Sequence, residues 1–378
     1  AVYTFLQDCL DVRWLWPGEL GEDIIERNTI AFEPFVYRHH PQIRSRTGMF
    51  FYARLDRAGA GRSGMWCRHQ RLQLDSLPGV YGGHGFTDWW DRFKDTHPEY
   101  FALQPDGTRS GYPDARCAKL CQSNPAVGEQ WRADVKAQLA DNPNRTVFNA
   151  SPNDGWNAGH CICEDCRAWD HPEGELRSFG WQGLGQQYAA LSDRHVIFAN
   201  HLADLLKREY PAQDYYVLMM AYGHSRPGPI DAVPADNVII MSVANFMLAP
   251  DSKDRGSTTG KTHREEFANW GKVTSNLIWR PNTPKKLISM PLLPLSQTMK
   301  DFRFVTEMDC IGIIIDGVWE HWATRGPLYY LMTQLAWDPR QDGGAILEDY
   351  FHRGFGRAAD EMRAYWQFME QKWRESRD

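Results

Sequence analysis

The sequence predicts an α/β fold, a TIM-type (β/α)8 barrel of parallel strands each followed by a helix, on three observations. Strand-like apolar runs alternate with helical segments from residue 36 to residue 340. The runs Tyr216–Ala221, Val238–Val243, Leu277–Arg280 and 311–316 are nearly all apolar, as strands covered by helices on both faces must be. No glycine-rich phosphate turn follows the first strand, which argues against the doubly wound nucleotide-binding alternative. A chain of 378 residues is a natural size for such a barrel with additions.

In chain order, residues 1–35 read as the end of another αβ unit. Val2, Phe5, Leu6 and Leu10 recur at helical spacing, Trp14-Leu-Trp-Pro-Gly18 stops the helix, and 29–32 is strand-like. The chain begins as if in mid-helix, so upstream sequence is expected to be missing. Residues 36–340 form the barrel domain. Its first strand is expected at 42–46, a second ending in the glycines of 78–86, and a third at 145–149. A helix at 125–140 opens with Pro125 and carries Trp131, Val135 and Leu139 on one face. Residues 184–210 read as one long helix ending before Pro211. Further helices are expected at 262–273 and 295–308, and an eighth strand at 287–293. Residues 341–378 form a C-terminal helical segment, with helices at 346–350 and 358–373.

Composition narrows the function. The net charge is −6, from 42 basic and 48 acidic side chains in no long block of either sign, which argues against a nucleic-acid groove. The apolar runs are too short to cross a bilayer, so no transmembrane segment is expected. No signal peptide is visible at this N-terminus. Aromatic side chains make up 13% of the chain, and while most such rings fill cores, some suit the C–H face of a sugar.

The densest motif is Ser151-Pro-Asn-Asp-Gly155, just past the third expected strand, followed by His160, Cys161, Cys163 and Cys166. A carboxylate beyond a strand end is where parallel barrels place their chemistry. Asp154 is therefore the candidate general acid, with burial among aromatics expected to raise its pKa. Glycosidic hydrolysis needs a second carboxylate, for which Asp316 and Glu320 after the strand at 311–316 are the candidates, with Asp251 a third option. His84, Trp89, Asn153, Asn245, Arg280, Trp319 and Trp322 also lie near strand ends and are candidate substrate-binding residues. The planar fork of Arg280 suits a carboxylate or sulfate. The three close thiols, with Cys121 as a fourth donor from elsewhere, fit a structural zinc or a disulfide, with plain buried thiols as the third alternative. No cofactor is required for the catalysis envisaged.

These residues carry a resemblance. Ala1-Val-Tyr-Thr-Phe-Leu6, Val12-Arg-Trp-Leu-Trp-Pro-Gly-Glu19, His97-Pro-Glu-Tyr-Phe-Ala102, Leu120-Cys-Gln-Ser-Asn-Pro125 and Ser151-Pro-Asn-Asp-Gly155 with its Cys-x-Cys-x-x-Cys resemble the bacterial domain-of-unknown-function 4838 family. The resemblance implies a barrel of the glycosidase kind, a preceding αβ domain and export from the cell. A more distant one is to microbial α-glucuronidases, whose acid sits in a similar strand-end segment. His321-Trp322, Tyr329-Tyr330 and Leu335-Ala-Trp-Asp-Pro339 are similar to the region following their last strand. Their second carboxylate is not matched, since the strands at Val238 and Leu277 run into Ala244-Asn-Phe-Met247 and Arg280-Pro-Asn-Thr283.

The expectation is thus a glycoside hydrolase acting on a polysaccharide or oligosaccharide, extending to uronic or sulfated sugars. The alternatives are a polysaccharide lyase and a non-catalytic carbohydrate-binding barrel.

Overall fold

A computed structural model describes residues 2–31, 34, 36–48, 57–72, 77, 79–80, 83–112, 114–155, 159–181, 184–246, 260–282, 295–315 and 322–375. It is an α/β structure whose chain divides into two compact units. One comprises Leu77–Ala244 and His263–Arg280; the other comprises Ala1–Ser76, Asn245–Thr262 and Pro281–Asp378.

The first unit is built on four parallel strands. Val147–Asn149 pairs with Tyr216–Ala221, that strand with Val238–Val243, and Val238–Val243 with Leu277–Arg280. Every residue of the last two strands is buried, which explains why their sequences are apolar without alternation. The helix Pro125–Asp141 starts where Asn124 accepts a hydrogen bond from the Ala126 N–H and Pro125 occupies the first turn. It packs on the helix Ser192–Glu209 at Gly128, where a Cβ would come 3.2 Å from Leu205. Trp131 and Val135 lie in the core.

Two expectations in this unit are corrected. Residues 184–210 are not one helix: Leu184–Tyr188 is a strand paired with Arg177–Trp181 in an antiparallel hairpin, and the helix begins at Ser192. Gly185 weakens a helix there by about 1 kcal/mol relative to alanine. In the hairpin it faces Gly180. Residues 78–86 supply no ladder strand among the described residues. Gly83 and Gly85 instead bond the end of the strand Val147–Asn149 and the residues after it, Asn149 Nδ2 donating to Gly83 O and the Gly85 N–H to Ser151 O. Gly79, at φ +105°, lies so close that a Cβ would meet the Val147 carbonyl oxygen at 2.5 Å.

In the other unit, Ser45–Gly48 pairs in parallel with Gly312–Ile315, each near its expected place. The antiparallel pair Arg13–Trp14 and Glu22–Asp23 stands where no strand was expected, and residues 29–31 are in none. Helices Val2–Asp8, Arg57–His69, Leu295–Glu307, Trp322–Trp337, Gly343–Phe355 and Ala359–Glu375 complete it. Arg353 on the C-terminal helices bonds Asp11, Asp23 and Asp349, and Arg13 also bonds Asp349. The N-terminal stretch is thereby fastened to the C-terminal helices. The eighth strand expected at 287–293 lies outside the described residues. Among the described residues, no helix is long and apolar enough to cross a membrane.

Candidate functional site

The carboxyl ends of parallel strands in α/β folds are where ligands bind. At the end of Val147–Asn149 the chain enters the loop carrying Asp154, and three contacts hold that loop. Asn153 is buried, its Oδ1 accepting from the Phe86 N–H at 3.2 Å and its Nδ2 donating to Phe86 O at 2.8 Å and Ala118 O at 2.9 Å. Lys119, also buried, donates through Nζ to the carbonyl oxygens of Asn153 and Asp154. His84 Nδ1 lies 2.6 Å from Pro152 O. Burial depresses the Lys119 pKa to about 8 against the opposing pull of Cys117, Asp154 and Asp114.

A carbonyl oxygen only accepts, so His84 Nδ1 carries the proton and Nε2 is left as an acceptor. That Nε2 stands 3.9 Å from Asp154 Oδ2. Burial holds the His84 pKa below its ordinary value, with the positive charges of Lys119 and Arg280 adding to the effect, while the Pro152 carbonyl and Asp154 oppose it. The imidazole is therefore neutral at pH 7, a proton acceptor facing a carboxyl group. Arg280, the last residue of its strand, is buried, with Nη1 3.9 Å from Met220 Sδ. His84, Asn153, Asp154 and Arg280, four of the candidates read from sequence, thus belong to one unit.

One expectation about Asp154 is corrected: burial among aromatics was expected, and its side chain is 58% exposed among the described residues. Trp89 is 1% exposed, its indole N–H donating to Asp134 and its ring packed among Phe86, Phe93 and Tyr100. It is core, with no face to offer a sugar. Asn245 and Trp322 fall in the other unit, where Asn245 Nδ2 donates to Asn282 O and Trp322 packs on Trp66 and Tyr329. Asp251, Asp316, Trp319 and Glu320 lie outside the described residues.

Sequence reading missed Lys119 and two buried histidines, His195 and His224, and singled out His160, also buried, only as a neighbour of the thiols. His224 follows the strand Tyr216–Ala221 and was open to the same strand-end reasoning. The rings of His195 and His224 lie 5.8 and 5.5 Å from that of His160. Neither ring nitrogen of His195 has a hydrogen bond among the described residues. Burial first, then the charges of Arg194, His224 and Lys119, hold His195 neutral far below its ordinary pKa. The unfolded chain takes up a proton there near pH 6.5 and the folded chain does not. Stability is therefore expected to fall as pH drops below about 6.5, by about 1.4 kcal/mol per pH unit for each such histidine. Urea midpoints measured between pH 7.5 and 5 should show a shallower acid slope for His195→Phe than for wild type.

The thiols also converge. The Sγ atoms of Cys121, Cys161, Cys163 and Cys166 all lie within 4.8 Å of one another, and these four form no disulfide. A family model described as "Domain of unknown function (DUF4838)" matches residues 28–367. No curated protein matches the chain.

Proposed function

The chain belongs to the DUF4838 family, and on that premise we propose that it is a glycoside hydrolase acting on polysaccharides or oligosaccharides that bear uronic or sulfated sugars. Its strands would close into an eight-stranded barrel. Asp154 donates the proton to the departing glycosidic oxygen, and Glu320 or Asp316 is the second carboxylate. Arg280 holds the anionic group of the sugar, since its fork can bond two oxygens at once. The single observation that carries this reading is the His84–Asp154 pair at 3.9 Å, at the strand ends and within the field of Arg280 and Lys119. The gap suits a substrate hydroxyl that donates to His84 Nε2 and leaves Asp154 facing the bond to be broken. The sugar itself would cover the exposed Asp154 and provide the dry surroundings a general acid needs.

A second reading is favoured by the neutral His84. In a polysaccharide lyase one base removes the proton beside a uronate carboxylate, and Arg280 would neutralise that carboxylate. The products separate the two. Incubation with uronate- and sulfate-bearing oligosaccharides is expected to release new reducing ends without near-ultraviolet absorbance. An absorbing, unsaturated product would establish the lyase instead. Ligand binding by calorimetry with neither product would mean a carbohydrate-binding protein without turnover.

A further inference from the structure

We propose that Cys121, Cys161, Cys163 and Cys166 hold one zinc ion as a closed tetrahedral tetrathiolate whose role is to fix the segments around the Asp154 loop. Zinc–sulfur bonds of about 2.3 Å place the four sulfurs of a tetrahedron about 3.8 Å apart. Here Cys121 Sγ lies 3.7 Å from Cys163 Sγ and 3.9 Å from Cys166 Sγ, and Cys161 Sγ lies 3.4 Å from Cys163 Sγ. A disulfide needs about 2.0 Å and joins sulfurs in pairs, whereas these four are near one another as a set. The ligands come from two places in the chain. Cys163 has extended backbone and the single turn Glu164–Arg167 brings Cys166 round beside it, while Cys121 comes from a separate segment of the chain.

The surroundings fit the charge of such a centre. Four thiolates and one zinc ion sum to −2, which a buried site must offset with donors. The Leu103 N–H donates to Cys161 Sγ at 3.2 Å, and Ser123 Oγ lies 3.1 Å from Cys166 Sγ. The positive charge of Arg109 acts on Cys121, Cys161 and Cys163. The four sulfur ligands leave no open coordination position, which marks a structural rather than a catalytic zinc.

The same ligands sit on the backbone that carries the candidate acid. Cys121 is two residues from Lys119, whose Nζ holds the carbonyls of Asn153 and Asp154. The Cys121 N–H donates to Tyr100 O, that of Ala102 to Lys119 O, and that of Ile162 to Leu103 O. Gln104 Nε2 donates to Gly159 O. The knuckle thus ties 100–104, 119–121 and 159–162 together.

Elemental analysis of the untagged chain, purified under reducing conditions, should find one zinc per chain and no iron. Cobalt exchanged into the site should give sulfur-to-cobalt charge-transfer bands and the intense red d–d bands of a tetrahedral thiolate site. Cys163→Ser should abolish stoichiometric retention. Arg109→Ala, which leaves all four ligands in place, should weaken retention against a chelator by ~10–100-fold. A metal-free protein with reactive thiols, disulfide-linked peptides in the mass spectrum, or stoichiometric iron would each overturn the proposal. None of these readouts depends on any enzymatic activity, so the zinc and the hydrolase reading fail separately.

Discussion

Replacing Asp154 by asparagine is expected to lower kcat on a susceptible oligosaccharide by ~10²–10⁴-fold, the usual worth of a positioned general acid. Ligand affinity and the unfolding midpoint should change little. The side chain is 58% exposed and its Oδ2 lies 3.9 Å from His84 Nε2, so the isosteric amide removes the transferable proton without emptying any packed space. The loop itself is held through main-chain carbonyls, by Lys119 at Asn153 and Asp154 and by His84 at Pro152, none of which the substitution touches. A substrate with an activated leaving group needs little protonation and should lose far less of its rate, which marks an acid rather than a binding group. Equal losses on activated and natural substrates, or a kcat within a few-fold of wild type, would remove Asp154 from that role. In the lyase reading the large loss moves to His84→Gln instead.

What the sequence disclosed follows from where each signal resides. Tyr216–Ala221, Val238–Val243 and Leu277–Arg280 occupy the expected residues because burial on both faces writes itself as an unbroken apolar run. The hairpin ending at Tyr188 was illegible for the opposite reason. Its five-residue strands abut the strongly periodic helix Ser192–Glu209, and the helical pattern was extended over them. The strand-end rule pointed to Asp154 and Arg280, which lie beyond or at the end of described strands, since it needs only an element boundary and a residue type. It also pointed to His84, which no strand immediately precedes among the described residues. It could not tell which side chains turn toward the opening and which turn back to the chain. Asn153 is committed to Phe86 and Ala118, which are 67 and 35 residues away. Trp89 is committed to Asp134, 45 residues away. Lys119 was overlooked because a buried lysine is tolerated only through carbonyl oxygens that folding brings to it, from residues 34 and 35 positions away.

The turn of Asn153 back into the backbone makes its replacement the most damaging to stability of the changes near this site. Asn153→Ala removes three hydrogen bonds at once, leaving the Phe86 N–H, the Phe86 carbonyl and the Ala118 carbonyl without this partner. Such bonds contribute about 1 kcal/mol each, and buried groups left unsatisfied cost about 1–3 kcal/mol. Partial relaxation and water entry bring the expected loss to roughly 2–4 kcal/mol in urea unfolding. Asn153→Asp is no rescue, since it keeps the acceptor for the Phe86 N–H but turns a carboxylate oxygen toward two carbonyls. Turnover should fall with stability, because misplacing a reacting group by about 1 Å can cost ~10²-fold. The split between parameters decides the role. A clamp that positions Asp154 lowers kcat and the unfolding midpoint together and leaves KM near wild type, whereas a side chain that contacts the sugar raises KM and leaves the midpoint in place.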